Sequence, residues 1–178
     1  MSAAVILYGP PTSGKDTVTA ALSTADSAYV LFRRLKVGAG RTATYRMTTA
    51  EHVAELAAAG DIIWKNERYN AVYIVDRPEL VNIVAAQRVP ILHLGQPEAI
   101  SAVCAAMPEI NWTVVELWCP RDVAERRIRD RDTGDVAERL TAWDSTVRLP
   151  ADLAELSIDT AVHSPTEAAE QIRKVVAL

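Results

Sequence analysis

Short apolar runs alternate along the chain with segments whose apolar positions recur at helical spacing. The runs AAVILY, VPILHL and WTVVELW are bounded by Gly, Pro or polar residues, a pattern that predicts buried strands. After the first run, Val18, Ala21 and Leu22 share one face of a predicted helix. Strands that alternate with helices predict an α/β fold with a mainly parallel central sheet.

Helix-capping residues mark where several helices begin. Thr48 with Glu51, and Ser164 with Glu167, have the spacing of a capping box, in which each side chain bonds the other residue's backbone N–H. Asp76 is the predicted N-cap of the helix that follows it. No linker, repeat or low-complexity tract interrupts the pattern, so a single domain spanning 1–178 is expected.

Composition excludes several classes of function. Hydrophobic residues make up 49% and charged residues 24% of the 178 residues, and the net charge is -4, which argues against a nucleic-acid-binding face. No apolar run reaches the ~18 residues of a membrane span, and the N-terminus lacks the basic segment of a signal peptide. We therefore expect a cytoplasmic protein in which Cys104 and Cys119 are reduced core thiols.

The first predicted strand leads into a Gly-rich loop. Residues 9–15, GPPTSGK, fit G-x-x-x-x-G-K between a strand and a helix, the context that a phosphate-binding loop requires. Glycines let the backbone N–H groups converge on phosphate oxygens, and Lys15 adds a mobile cation. The predicted phosphate-contacting residues are Gly9, Pro10, Pro11, Thr12, Ser13, Gly14, Lys15, Asp16 and Thr17.

Asp16 departs from the usual loop. A Ser or Thr normally follows the lysine and gives its hydroxyl to Mg²⁺. Asp is also a hard oxygen ligand, so Asp16 is one candidate for the metal, and Thr17 is the other. Asp16 is equally well explained as a carboxylate that is favourable in the first turn of a helix.

Beyond the loop, the chain resembles the guanylate kinase family of P-loop kinases. The sequence GKDT in 14–17 is similar to the G-K-D-[ST] of the branch that contains the ribose bisphosphate phosphokinase of the phosphonate pathway. The resemblance implies a three-layer P-loop kinase fold with ATP as donor and Mg²⁺. It also implies a small acceptor-binding region at about 33–75 and a lid at about 127–139.

The same resemblance assigns the acceptor-binding residues. Arg33, Lys36 and Tyr45 match family positions that clamp the acceptor's phosphate, and Tyr69 matches a second tyrosine. Two cations and two phenols suit a dianion, which needs charge and fixed donors. The alternative is a solvated basic edge with core tyrosines.

The family's guanine-reading positions are not kept. Residues near Val30, Ile63 and Gly95 occupy the places of groups that pair with the base, and none can accept its N–H groups. GMP is therefore an unfavourable acceptor.

His93 ends a predicted strand at the edge where open α/β sheets bind ligands. It is a candidate acceptor-binding residue or base, or a hydrogen-bonded histidine at the rim of the core.

Arginines complete the predicted site. Arg127, Arg131 and Arg139 match the family's lid arginines, which contact the donor and neutralise charge on the transferred group. The alternative is a solvated charged helix.

The sequence thus predicts an ATP-dependent kinase for a small phosphate-bearing acceptor, with no nucleic-acid or membrane partner. A non-catalytic binding module and a kinase for a free hydroxyl are the alternatives.

Overall fold

The structure, a computed structural model, describes residues 2–40, 42–68, 70–131 and 134–176. The strands in these ranges are β1 (Ser2–Tyr8), β2 (Tyr29–Leu31), β3 (Leu35–Val37), β4 (Arg46–Met47), β5 (Ile62–Arg68), β6 (Ala71–Asp76), β7 (Val89–Leu94), β8 (Ile110–Trp118) and β9 (Leu156–Asp159). The helices are α1 (Lys15–Ala25), α2 (Ala50–Ala59), α3 (Arg77–Ala85), α4 (Pro97–Ala106), α5 (Arg121–Asp130), α6 (Val136–Asp144) and α7 (Pro165–Val175).

Five strands form a parallel central sheet of order β2-β7-β1-β8-β9. The central strand β1 pairs with β7 on one side and β8 on the other, so Val5 lies beside both Ile91 and Thr113. The predicted α/β fold with a parallel central sheet is confirmed. Because all these strands run in one direction, their carboxyl ends meet at one edge, where β1 leads into the Gly-rich loop.

Helices cover both faces of the central sheet, because both faces of β1 are apolar. Val5 and Leu7 contribute to a core cluster that includes residues of α1 and α7, and Ile6 and Tyr8 to a second that includes residues of α3 and α4. A strand buried on both faces reads as a continuous apolar run. The result is three layers, as the sequence predicted.

A smaller sheet of order β4-β3-β6-β5 lies in the predicted acceptor-binding region. Strand β6 is antiparallel to both β3 and β5. Leu35 and Ile74 pack with Leu56 of α2 in a third core cluster. The opposite face is polar, because Lys36 pairs in register with Tyr73, which in turn pairs with Asn66. This sheet therefore presents a polar face and buries an apolar one.

The structure departs from the sequence pattern in three places in this region. The pattern did not predict β3 and β4, which are three and two residues long and flank the Gly-rich segment. Strand β5 continues beyond its apolar residues, which end at Trp64, to Arg68, because residues 65–68 pair with β6. The N-cap of α2 is Thr49, whose hydroxyl accepts from the His52 N–H, and not Thr48.

The other caps are as predicted. The Asp76 carboxylate accepts from the Glu79 N–H at the start of α3, and Ser164 and Glu167 form the reciprocal capping box of α7. None of the helices in the described part of the chain has the length and apolar character needed to cross a bilayer.

Candidate active site

The loop between β1 and α1 has a backbone that its two motif glycines make possible. Gly9 has φ 154°, and a Cβ there would lie 2.2 Å from the Leu117 carbonyl oxygen. Gly14 has φ 98° and is the N-cap of α1, close to Thr160. Other residues would be strained in both places. The loop therefore curls tightly at the N-terminus of α1, where backbone N–H groups favour an anion.

Lys15 folds back over this loop. Its Nζ donates to the carbonyl oxygens of Gly9 at 2.7 Å and Pro10 at 2.8 Å, and it lies 3.3 Å from Ser13 Oγ. Burial lowers the pKa of Lys15 to about 7, and the positive charge of Arg34 acts in the same direction. Desolvation thus disfavours the charged form of Lys15, and a phosphate bound in the loop would stabilise it.

Arg127 supports the loop from the side of α5. Its guanidinium donates to the Thr12 carbonyl at 3.1 Å and, through both Nη atoms, to Thr160 Oγ1 at 3.0 Å and Thr160 O at 2.7 Å. Thr160 Oγ1 also lies 2.9 Å from the Ser13 carbonyl, to which it donates. Arg127 thereby ties the loop to the segment after β9. The contact with the donor or the transferred group that the resemblance implied for Arg127 stays a prediction.

One cavity joins the loop, the carboxyl ends of the central strands, the smaller sheet and the lid. Of the predicted site residues outside the loop backbone, it brings together Lys15, Asp16, Tyr45, His93, Arg131 and Arg139. Arg33, Lys36 and Arg127 are not among its lining residues, and Tyr69 lies outside the described residues. The other lining side chains that sequence reasoning missed are Leu31, Phe32, Arg34, Thr44, Asn66, Arg68, Tyr73, Leu94 and Gln96.

Thr17 lines a second cavity beside the loop. This cavity is lined by Thr17, Arg127, Arg131 and His163, among others. The Thr17 hydroxyl donates to the Gly14 carbonyl at 2.9 Å. Asp16 and Thr17, the two metal candidates, therefore line different cavities, and Arg131 lines both.

Cations and phenol rings cluster on the polar face of the smaller sheet. The Lys36 Nζ lies 5.4 Å from the ring centroid of Tyr45 and 5.6 Å from that of Tyr73, and the two rings are 5.2 Å apart. The Arg34 guanidinium lies 5.2 Å from the Tyr73 ring. Lys36 is 1% exposed, and desolvation lowers its pKa. Cation–π contacts thus hold two buried or half-buried cations beside two tyrosines.

Arg34 occupies the position in the cavity that the sequence analysis gave to Arg33. Arg33 is exposed, and its Nη2 donates to the Tyr45 carbonyl at 2.7 Å. Successive side chains in extended backbone point to opposite sides, so the residue that shares a face with Lys36 is Arg34. The same alternation places Asn66 and Arg68 together on β5. Had β3 been predicted, this period-2 pattern would have identified Arg34.

His93 bridges two residues of α1. Its Nε2 lies 2.7 Å from the Thr19 Oγ1, and its Nδ1 lies 3.6 Å from the Asp16 Oδ1. The His93 side chain is 14% exposed and that of Asp16 is 36% exposed. Asp16 is also the one carboxylate among the described residues that line the first cavity.

The guanine-reading positions offer no carboxylate. Val30 lies in β2 beside Pro90, and Ile63 packs against an apolar core cluster. Gly95 lines the cavity without a side chain. These three positions thus provide no carboxylate for a guanine edge, and the carboxylate and amide acceptor oxygens that line the cavity belong instead to Asp16, Asn66 and Gln96.

The lid region joins α5 to α6, with Asp132 and Thr133 outside the described residues. Arg139 Nε donates to the Asp135 Oδ1 at 2.7 Å, one helical turn earlier. Both Arg131 and Arg139 line the first cavity opposite the loop. Two of the three predicted lid arginines therefore face the space between Lys15 and the smaller sheet.

The segment after α6 is fastened to the central sheet by a buried carboxylate. Glu116 of β8 is 3% exposed and accepts from Arg148 Nη2 at 2.7 Å, the Leu149 N–H at 2.8 Å and Ser157 Oγ at 2.9 Å. Four donors, counting Arg148 Nε at 3.0 Å, surround this one group. The segment after α6 is thereby fixed to the central sheet.

The described residues contain no group of three or more His, Cys, Asp or Glu that could hold a metal ion. Mg²⁺ in kinase sites uses one or two carboxylates with waters and substrate phosphates, so it does not need such a group. Asp16 beside the phosphate loop fits this requirement.

The parallel sheet and the loop after β1 give the chain the fold of the P-loop kinases. It is similar to a guanylate kinase from Anaplasma phagocytophilum (TM-score 0.62, 17% identity, 98% of this chain and 84% of that one). A gluconokinase from Sinorhizobium meliloti matches with a TM-score of 0.55 and 15% identity, and the match covers 97% of this chain and 93% of that one. A sugar kinase from a Janibacter species matches with a TM-score of 0.53 and 13% identity, and the match covers 98% of this chain and 94% of that one. No protein-family model and no curated protein sequence matches the chain.

Proposed function

We propose that this chain is an ATP- and Mg²⁺-dependent kinase that transfers the γ-phosphoryl group to a small acceptor already carrying a phosphate. One observation carries the proposal: a single cavity is lined by Lys15 of the loop, Tyr45 and Arg34 beside the smaller sheet, and Arg131 and Arg139 of the lid. Phosphoryl transfer depends on positioning two anionic reactants and neutralising their charge. The names of the similar structures, a guanylate kinase, a sugar kinase and a gluconokinase, agree with this reaction class.

The loop is the donor side of the proposed site. Backbone N–H groups of residues 9–15 and the N-terminus of α1 bind the phosphates of ATP, and Lys15 turns from the loop carbonyls toward the terminal phosphates. Asp16 is the residue that we assign to hold Mg²⁺, which would supply positive charge beside the donor phosphates. Arg127 keeps the loop in place through Thr12 and Thr160.

The polar face of the smaller sheet is the acceptor side. Arg34, Tyr45 and Tyr73 line the cavity and offer charge and hydroxyl donors to one phosphate group, and the buried Lys36 adds its charge beside the two tyrosine rings. Charge-assisted hydrogen bonds to such a dianion are roughly twice as strong as neutral ones. Arg131 and Arg139 neutralise the group in transit between the two sides.

The acceptor is not guanylate in this proposal. A guanine edge left unpaired against Ile63, Val30 and Gly95 would cost much of the binding energy that specificity requires. A nucleotide with another base and a sugar phosphate both satisfy the site. The resemblance of GKDT to the ribose bisphosphate phosphokinase branch stays a prediction from the sequence.

A kinase for the free hydroxyl of an unphosphorylated metabolite is the second candidate. Attack by a hydroxyl needs a base, and both Asp16 and His93 line the cavity. Such a reaction would have no use for the cluster of Arg34, Lys36 and two tyrosines, which is why we place it second.

The test is an assay of ADP release from ATP and Mg²⁺ with three sets of acceptors: nucleoside monophosphates, sugar phosphates and unphosphorylated sugars and polyols. We expect turnover in the first two sets, little with GMP, and none with Lys15→Ala. Activity with unphosphorylated acceptors alone would favour the second candidate. If no acceptor raises ADP release above that of Lys15→Ala, a non-catalytic binding module is the better explanation.

A further inference from the structure

We propose that His93 is a positioning residue that holds the Asp16 carboxylate, and that the held carboxylate is the protein oxygen facing Mg²⁺ in the bound Mg·ATP complex. The inference rests on the proposed function for its nucleotide. It gives His93 a role on the donor side, whereas the sequence predicted a contact with the acceptor.

The geometry fixes the imidazole between two residues of one helix face. Asp16 and Thr19 are three residues apart on α1, so their side chains lie on the same face. His93 reaches both from the end of β7, with Nε2 2.7 Å from Thr19 Oγ1 and Nδ1 3.6 Å from Asp16 Oδ1. Thr19 is 6% exposed, which makes it the buried anchor of the three.

The chemistry of the partners sets the tautomer. A carboxylate only accepts hydrogen bonds, so in the neutral imidazole Nδ1 carries the proton that points to Asp16, and Nε2 accepts from the Thr19 hydroxyl. At 3.6 Å the Asp16 contact is longer than a hydrogen bond. It is therefore an oriented attraction between an N–H group and an anion, anchored at its other end by the shorter Thr19 bond.

Orientation of this kind matters for Mg²⁺, which demands near-ideal octahedral geometry at short distances. Asp16 stands where the motif normally has a hydroxyl, and its carboxylate can rotate between several positions. The other metal candidate, Thr17, donates its hydroxyl to Gly14 and lines the second cavity. Outer partners that orient a metal ligand are typically worth about 10–100-fold in metal affinity.

The experiment separates metal-dependent from metal-independent nucleotide binding. The dissociation constant of ATP is measured by calorimetry with EDTA and with Mg²⁺, and Mn²⁺ binding to the protein–ATP complex is followed by the loss of its free-ion EPR signal. The variants are His93→Leu, His93→Asn, which keeps an N–H near the Nδ1 position, and His93→Gln, which keeps one near Nε2. His52→Asn, on the exposed surface of α2, is the control.

We expect the metal-dependent gain in ATP affinity to fall about tenfold in His93→Leu and His93→Gln. His52→Asn should keep it in full, and His93→Asn should keep part of it, because it retains the N–H toward Asp16 but loses the contact to Thr19. ATP affinity in EDTA should not change in any variant. Thermal unfolding checks that each variant is folded. If the His93 variants do not fold, Thr19→Val against Thr19→Ser tests the same anchor, with loss expected only in the valine variant.

Two results would overturn the inference while leaving the kinase proposal intact. Equal weakening of ATP binding with and without metal would make His93 a structural residue only. An unchanged metal-dependent gain in His93→Leu would show that the Asp16 carboxylate does not depend on the imidazole. Failure of the wild-type protein to bind ATP under either condition would instead refute the proposed function and this inference together.

Discussion

Nucleotide binding should take up a proton at Lys15 above neutral pH. In the ligand-free protein, burial first, and then the charges of Arg34 and Arg131, bring the pKa of Lys15 to about 7, although Asp16 opposes the shift. Phosphate oxygens around the amine favour the ammonium form and return the pKa toward the ordinary value of about 10.4. At pH 8, with the free pKa at about 7, binding should therefore take up about 0.9 proton, and at pH 6 about 0.1.

The sign of the effect on affinity follows from this uptake. Because the protonated form is the one that binds phosphate, ATP affinity should weaken as the pH rises above the free pKa. Between pH 7.5 and 8.5 the protonated fraction of a group with a pKa of about 7 falls about eightfold, and the dissociation constant of ATP should rise by the same factor.

The assay is calorimetry at pH 6, 7, 8 and 9 in pairs of buffers with different ionisation enthalpies, which gives the number of protons taken up. Lys15→Met should bind ATP more weakly. It should take up no proton at pH 8, and its dissociation constant for ATP should not rise about eightfold between pH 7.5 and 8.5. Lys174→Met, in the exposed last turn of α7, should behave as the wild type. Uptake near zero at pH 8 in the wild type would mean that the loop carbonyls around Lys15 compensate its charge before ATP arrives, and would refute the reasoning.

The same shift predicts how the ligand-free protein responds to pH. The pKa of Lys15 is lower in the folded protein than in the unfolded chain, so between about pH 7 and about pH 10 the unfolded chain binds more protons. Stability contributed by this group should therefore rise with pH across that window. The free energy of unfolding in urea should therefore rise between about pH 7 and about pH 10 in the wild type, and this contribution should be absent in Lys15→Met.

Three further predictions concern the metal, the acceptor and the segment after α6. Asp16→Ala should raise the Mg²⁺ concentration needed for half-maximal activity at least tenfold, with little change in Thr17→Val; the reverse order in a Mg²⁺ titration would move the metal to Thr17. Arg34→Ala should raise the acceptor KM by tenfold or more, since a charge-assisted contact is worth about 1.5–3 kcal/mol, and Arg33→Ala should change it little; equal effects would contradict the placement of Arg34 in the cavity. Glu116→Ala should lower the free energy of unfolding in urea by about 1–3 kcal/mol because it leaves the buried Leu149 N–H without its acceptor, and a loss below about 1 kcal/mol would show that water replaces the carboxylate.

The central fold was predictable from the sequence because its signals are strong and local. Strands β1, β7 and β8 are buried on both faces, so they appear as continuous apolar runs between Gly and Pro residues. The loop after β1 has a spacing that only a tight turn before a helix explains. Asp76 and Ser164 begin their helices because their side chains satisfy backbone N–H groups locally, without tertiary help.

The smaller sheet was not predictable in the same way. Strands β3 and β4 are too short for a periodic pattern, and their polar face is stabilised by contacts to β6 that lie far away in sequence. Without β3, nothing in the sequence distinguished Arg34 from Arg33, and the resemblance to guanylate kinases pointed to Arg33, whereas Arg34 lines the cavity. The bridge from His93 to Thr19 spans 74 residues and depends on β7 lying beside β1.

Two core clusters hold the smaller sheet. Leu35 and Ile74 pack with Leu56 of α2 in a cluster of their own, whereas Val75 of β6 belongs to a cluster that also covers the central sheet. Substitutions among the cations and tyrosines of the polar face leave both apolar clusters intact, because these side chains belong to neither. Under the proposed function, the polar face can therefore change with the acceptor while the donor loop is kept.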